Sequence, residues 1–202
     1  MFRGGAAVKP ITLAGFENTF ARSDDPWCTF TNRDEGVKRA AILHALGTGP
    51  WGRVLELAAG NGSNSAAIGP RALRLDATEA TAGGTALVAR AIRPRAGRAR
   101  ALRLAVPARL PRAHYEAVVI AELLYYLSPR EMVQTARDVA RVLAPGGMLV
   151  LAHHRIDFHD FAQHAAPLHR AFLAATGRRW RVRVVRRNGR WVVLGCTMRR
   201  GV

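Results

Sequence analysis

The chain has 202 residues, enough for one domain with a full core and too few for two of ordinary size. Hydrophobic residues make up 49%, which excludes a disordered chain, and no apolar run approaches the ~20 residues that span a bilayer. The net charge of +17 rests on 29 Arg against 2 Lys, Lys9 and Lys38. A nucleic-acid or other polyanionic partner fits that charge. Arg-rich solvated faces written by a GC-rich genome fit it too.

Residues 1–25 carry no clear periodicity and end at "RSDDPW", where Pro26 punctuates. Apolar residues at 37, 40, 41, 42, 45 and 46 predict a helix over 34–46, stopped by Gly47. "GPWGRVLELAAGNG" reads as a turn, a strand and a glycine loop, followed by a short helix over 63–69 that Pro70 ends. "RALRLDA" predicts a second strand ending at Asp76, and a helix over 79–93 closes at Pro94. "GRARALRLAV" and "HYEAVVIAE" give the third and fourth strands.

"SPREMVQTARDVARVLAPGG" carries Ser128 as cap, Pro129 at the first helical position and Glu131 to complete a capping box, with Gly146–Gly147 as its stop. "MLVLAHH" is a fifth strand, a helix spans roughly 158–175, and Asn188–Gly189 joins the last two β-rich runs as a hairpin. Strand and helix thus alternate before a terminal hairpin. The expected fold is α/β: a doubly wound, Rossmann-like, mostly parallel sheet with an antiparallel C-terminal hairpin. Ligands of such sheets sit at the carboxyl ends of the strands, near the switch point.

A strand, a glycine loop and an acid about 20 positions on serve either a dinucleotide or S-adenosylmethionine. Here Gly60 and Gly62 flank Asn61, and Asp76 is the acid expected on the ribose hydroxyls. Glu56 favours the second ligand. A pyrophosphate would lie against the loop and be repelled by that carboxylate, whereas a sulfonium and an ammonium would be attracted.

"SDDPW", "VLELAAGNG", "IAELLYYL" and "VLAPGGMLVL" occur in this order between residues 23 and 151. Together they resemble the class I S-adenosylmethionine-dependent methyltransferases and, more narrowly, the nodulation protein S (NodS) N-methyltransferases, over roughly 22–152. The resemblance implies cofactor contacts from Glu56, Gly60, Gly62 and Asp76, and from Glu122 and Leu123 just past the fourth strand, which opens with Tyr115–Glu116. It implies that residues 1–32 form an N-terminal segment in which Trp27 folds over the cofactor as a lid, and that 33–202 form the methyltransferase domain. Two positions depart from the pattern. Ala58 stands where a first glycine is usual, narrowing the backbone's freedom. Ala105, followed by Val106, stands where relatives place an aspartate on the adenine amino group, a charged hydrogen bond worth ~1.5–3 kcal/mol.

The implied reaction is methyl transfer to a small-molecule or oligosaccharide acceptor, by resemblance an amino group of a glucosamine-like sugar. Orientation and exclusion of water carry such a displacement, and a base to take the amine's proton helps. Tyr125, Tyr126, His153 and His154 fall at strand ends, with Tyr125 and His153 the candidates for substrate contact. "HHRIDFHDFAQH" offers metal-ligand types without metal-ligand spacing, so no metal is expected. Eight Arg lie in 90–112 and nine in 178–200, the latter interleaved with Trp180 and Trp191. An RNA-binding or RNA-modifying methyltransferase is therefore one alternative, and a degenerate domain disabled by Ala58 and Ala105 is another. Cys28 and Cys196 make no motif and no secretory h-region opens the chain, so a cytoplasmic location is expected. The sequence leaves the oligomeric state open.

Overall fold

Seven strands form one sheet in the computed structural model, which describes residues 10–199. They are β1 (Trp51–Leu57), β2 (Ala72–Glu79), β3 (Ala99–Arg103), β4 (Tyr115–Ala121), β5 (Leu143–His154), β6 (Trp180–Arg187) and β7 (Trp191–Met198). Their order is β3-β2-β1-β4-β5-β7-β6. The first five run parallel, and β7 lies antiparallel between β5 and β6. The chain leaves β1 toward one edge and returns at β4 toward the other, so the switch point lies between β1 and β4.

Alternation along each strand sorts residues into two cores. Val54, Val119, Val150 and Val193 meet α2 (Arg33–Leu46), α3 (Ser63–Ile68) and α4 (Ala82–Ile92). Leu55, Ile120, Leu149 and Cys196 meet α5 (Pro129–Val142) and α6 (Leu168–Ala175). All eight of these strand residues are fully buried, as expected for strands covered on both faces. The period-2 rule also decides where polar residues go, and that controls the site below.

The local signals behave as their chemistry requires. Ser128 Oγ accepts from the Glu131 N–H while Glu131 accepts from the Ser128 N–H, completing the expected capping box. Asn188 Oδ1 accepts from the Arg190 and Trp191 N–H groups and closes the hairpin. Three expectations are corrected. Residues 13–22, read as irregular, form the helix α1 (Leu13–Arg22), capped by Thr12. The helix expected to reach Gly146 ends at Val142, before Pro145, and β5 begins there.

The helix expected over 158–175 is only Leu168–Ala175. Residues 158–167 run irregularly, because Phe158 and Phe161 turn into a cavity and the Asp157 carboxylate accepts from the Ala165 N–H at 2.7 Å.

Gly62 opens α3 with φ 83°. A methyl there would lie 2.7 Å from Ala91 Cβ and 2.9 Å from Val88 Cα, so this glycine sets how closely α3 approaches α4. Gly62→Ala should destabilise the protein by about 2–4 kcal/mol, combining a left-handed alanine with overpacking. Thermal unfolding should show a Tm lowered by several degrees; an unchanged Tm would refute the packing argument.

Candidate functional site

At the carboxyl edge of the parallel strands lies a cavity of about 600 Å³, lined on one side by the loop after β1 and on the other by the turn after β4. The first wall begins at Ala58, whose φ of 53° is left-handed; Gly60 follows at 62°. Ala58 is therefore where glycine's freedom would be used, and alanine pays about 1–2 kcal/mol to hold it. The Ala59 N–H donates to Thr78 O at 2.8 Å and the Gly60 N–H to Glu79 Oε2 at 3.0 Å. No atom lies within 4 Å of where a Gly60 Cβ would be, so the loop's inner surface is open.

Asp76 does not occupy the end of β2. The strand runs three residues further and ends at Glu79. Asp76 lies on the sheet face opposite Leu75 and Ala77, where it accepts from Arg100 at 2.6 Å and from the Tyr115 hydroxyl at 2.8 Å. It does not line the cavity; Glu79 does. The run "RLDATE" hides this, because its first acid looks like a terminus while Ala77 and Thr78 continue the ladder to Ala101 and Leu102. Burial raises the Glu79 carboxyl despite hydrogen bonds from Thr81 and Gly60.

Glu56 is likewise not at the mouth. Sharing its face with Val54, it points beneath the loop, is 1% exposed, and accepts from the Ser65 hydroxyl of α3. Burial pushes its carboxyl up to about 7, against the Ser65 hydrogen bond and the nearby Arg39 guanidinium. It braces the loop from below. Gly62 packs against α4 and does not line the cavity either.

The far wall starts at Glu122, with φ 54°, and continues through Leu123 and a short 3-10 turn over Leu124–Tyr126. Glu122 Oε1 accepts from Lys38 Nζ at 2.9 Å, and Lys38 reaches Glu35 at 2.8 Å. Burial lowers the Lys38 ammonium's pKa, but Glu122 and Glu35 more than reverse this, so it stays charged. The Tyr125 hydroxyl donates to Glu122 Oε2. Burial, then Glu122, raises Tyr125 well above its ordinary range, so it remains a phenol.

Adjacent histidines part company here because strand alternation sends them to opposite faces. His153, expected to contact substrate, is 1% exposed and does not line the cavity. Its Nε2 accepts from the Leu123 and Leu124 N–H groups, both at 3.2 Å, which puts its proton on Nδ1, 2.8 Å from His169 Nε2. Burial and then His169 hold its pKa well below the usual value, and burial takes His169 down to about 4. His153 is a neutral brace for the turn. His154 lines the cavity, with Nε2 3.7 Å from Glu122 Oε2 and Nδ1 buried without a hydrogen-bond partner among the described residues.

Ala105 and Val106 line the cavity beside Leu104, so that wall presents no carboxylate. Over the top lie α1 and Trp27. Glu17 accepts from the Ala82 and Gly83 N–H groups at the start of α4, and Trp27 packs on Phe20 and Phe16. Asp25 of "DDPW" accepts from Asn61 Nδ2 at 2.8 Å and from the Thr29 N–H at 2.6 Å. This motif thus ties the N-terminal segment to the glycine loop. Burial pulls Asp25 upward, but donors at Phe30, Thr29 and Asn61 outweigh it and hold the carboxyl low.

Within 153–164 the side chains disperse. Asp157 pairs with His164 at 2.7 Å, while Asp160 and His159 line the cavity. Among the described residues no three His, Cys, Asp or Glu converge as a metal site, and no helix is long and apolar enough to cross a membrane.

Because the folded state holds a proton on Glu56 that the unfolded chain releases near the ordinary value of 4.5, stability should fall as pH rises from about 4.5 to 7. The span corresponds to about 3 kcal/mol. Glu56→Gln should flatten that slope and leave the variant more stable than the parent at pH 8, as measured by urea unfolding. A parallel slope in both proteins would overturn the assignment.

The matched family is described as "Methyltransferase domain", and it covers residues 54–147. No curated protein matches the chain by sequence. Among solved structures, the N-methyltransferase NodS from Bradyrhizobium japonicum WM9, in complex with S-adenosylhomocysteine, is similar with a TM-score of 0.76. Identity is 17%, covering 92% of this chain and 97% of that one. An O-methyltransferase family protein from Burkholderia thailandensis gives 0.75 at 15% identity, covering 96% and 66%. Phosphoethanolamine N-methyltransferase 1 from Haemonchus contortus, with phosphoethanolamine and S-adenosylhomocysteine, gives 0.67 at 17%, covering 95% and 51%. Residues 54–147 thus match a methyltransferase-domain model, and the chain has the Rossmann-like fold of these solved methyltransferase structures.

Proposed function

We propose that the protein transfers a methyl group from S-adenosylmethionine to an amine, with an amino group of a glucosamine-like sugar as the acceptor. One observation carries the reading. In a chain of net charge +17, the described residues that line the cavity include five carboxylates (Glu35, Glu79, Glu122, Glu131 and Asp160) and no arginine. The single lysine among these described residues, Lys38, is already bound between two of the carboxylates. Such a wall attracts cations and repels phosphates. The likeness to NodS supports the amino-sugar assignment.

The residues present fit the cofactor. The open backbone at Gly60 leaves room beside the loop, and the Glu79 carboxylate at the end of β2 is placed for ribose hydroxyls, the part first expected of Asp76. Leu104, Ala105 and Val106 give a flat apolar wall for adenine, and Trp27 closes the top. When bound, S-adenosylmethionine supplies a methyl group on a sulfonium centre. Glu122 and Leu123, which line the cavity past β4, would border that centre and the acceptor. Rings of Phe16, Tyr126 and Phe161 pack edge to face around the acceptor side and exclude water.

Glu122 and the Tyr125 hydroxyl orient the acceptor's ammonium. His154, whose Nε2 lies beside Glu122 in the cavity wall, takes its proton, leaving the neutral amine the displacement needs.

Calorimetric titration with S-adenosylhomocysteine should show micromolar binding. Glu79→Ala should weaken it about tenfold or more, a loss of ~1.4 kcal/mol, while Asp76→Asn should leave it unchanged to within roughly a factor of three. No binding by the parent protein would mean that the left-handed Ala58 and the carboxylate-free adenine wall have disabled the domain. With glucosamine as acceptor and labelled methyl donor, His154→Ala should lower kcat about 10²-fold or more at unchanged cofactor affinity. Products methylated only on oxygen would sink the amine assignment.

A further inference from the structure

Strand β6 forms the outer edge of the sheet, and no Asp or Glu occurs anywhere after Asp160. Residues 161–202 nevertheless hold ten Arg. Four lie on β6, and its pairing with β7 fixes their sides. Arg181 sits opposite Thr197, Arg183 opposite Gly195 and, after the irregularity between Val184 and Arg186, Arg186 opposite Val193. Partners alternate in step, so these three share the face on which Val193 meets α2, while Arg187, opposite Val192, takes the other.

All four are exposed, and none makes an ion pair or side-chain hydrogen bond among the described residues. The nearest carboxylate pairing is that of Arg190 with Asp34 at 3.7 Å. The row runs toward the cavity, because β7 begins at Trp191, opposite His154 at the carboxyl end of β5.

We propose that this edge binds the phosphate backbone of a single-stranded nucleic acid. Arginines two residues apart on a strand stand about 6.6 Å from each other, and each carries a planar fork matched to phosphate oxygens. Their arrangement is a line of charge, which suits a linear polyanion. A second copy of the chain is a poor occupant, since two such edges would set Arg against Arg.

A bilayer is a poor occupant as well. The exposed apolar side chains on this strand are Val182 and Val184, too short to anchor in an interface that is usually held by Trp, Phe or Leu. Trp191, which the interleaved sequence suggested as a stacking ring, is fully buried with its Nε1–H on Asp34 at 3.0 Å. Half-buried Trp180 donates to Thr176 Oγ1. With no free ring to stack bases, binding rests on phosphates alone and is indifferent to sequence.

The test is fluorescence anisotropy with labelled oligo-uridylate and oligo-thymidylate, each of roughly 20 nucleotides, over a series of salt concentrations. Phosphate contacts from the three arginines that share a face predict a slope of about −2 for log K against log salt, alike for uridylate and thymidylate. The combined R181S/R183S/R186S variant should lose about two units of that slope, and the same three positions changed to Lys should keep it. S-adenosylhomocysteine titration of both variants should match the parent, showing that they fold. An unchanged slope in the Ser variant, or no binding of either oligomer at low salt, overturns the proposal. So does Arg-dependent binding to phosphatidylglycerol vesicles with none to the oligomers, which would assign the edge to lipid.

Discussion

Of the three non-glycine residues held in the left-handed backbone region among the described residues, two stand just past the two central strands: Ala58 after β1 and Glu122 after β4. Each costs about 1–2 kcal/mol, and each is kept there by hydrogen bonds from the neighbouring strand. Past Ala58, the Ala59 N–H reaches Thr78 O and the Gly60 N–H reaches Glu79. At Glu122, the N–H reaches Ala152 O, while the next two N–H groups converge on His153 Nε2. The sheet therefore over-determines two turns that diverge at the switch point, and the cavity is the space between them. Strain of this kind is stable only where the surroundings fix it, which is why both braces, Glu56 and His153, are fully buried.

Neutrality of those braces follows from the same burial. Glu56 and His153 both lie beneath the cavity and both have their uncharged forms favoured. The charges that remain are in the wall, where water or a ligand can reach them. Lys38 is the exception: nearly fully buried, it is kept cationic by Glu35 and Glu122. It neutralises part of the acidic wall and leaves an excess of negative charge facing the cavity. Arginines, which supply nearly all of the chain's positive charge, are missing from that wall among the described residues, and their densest runs lie around β3 and on β6, at the two edges of the sheet.

Much of this was legible in the residues. The βα alternation, the capping box at Ser128 and the Asn188–Gly189 hairpin each rest on local chemistry, and local chemistry survives in the fold. The site was legible only to the level of segments. "RLDATE" offers two acids, and only the ladder's length decides that Glu79 and not Asp76 reaches the edge. "HH" offers two histidines, and only strand parity separates the brace from the group in the wall. Leu13, Phe16 and Phe20 lie at helical spacing in α1, but three apolar positions in a polar stretch are too weak a signal without the surface they cover. The helix expected over 158–175 begins only at Leu168, because the chain before it turns Phe158 and Phe161 into the cavity wall.

The "DDPW" segment shows how a short motif can bear on a distant wall. Asp25 ties Thr29 and Asn61 together, and Asn61 sits between the two left-handed glycines of the loop. Glu17, from the helix just before, satisfies two N–H groups at the start of α4, the helix that Gly62 packs against. The N-terminal segment and the glycine loop are thus one hydrogen-bonded unit, and opening one must disturb the other. A loop that begins with alanine in place of glycine resists bending on its own. Coupling it to the covering segment supplies from outside the constraint that a more flexible backbone would otherwise need a ligand to impose, and the carboxylate-free wall at Ala105 has the same need for a cover that excludes water.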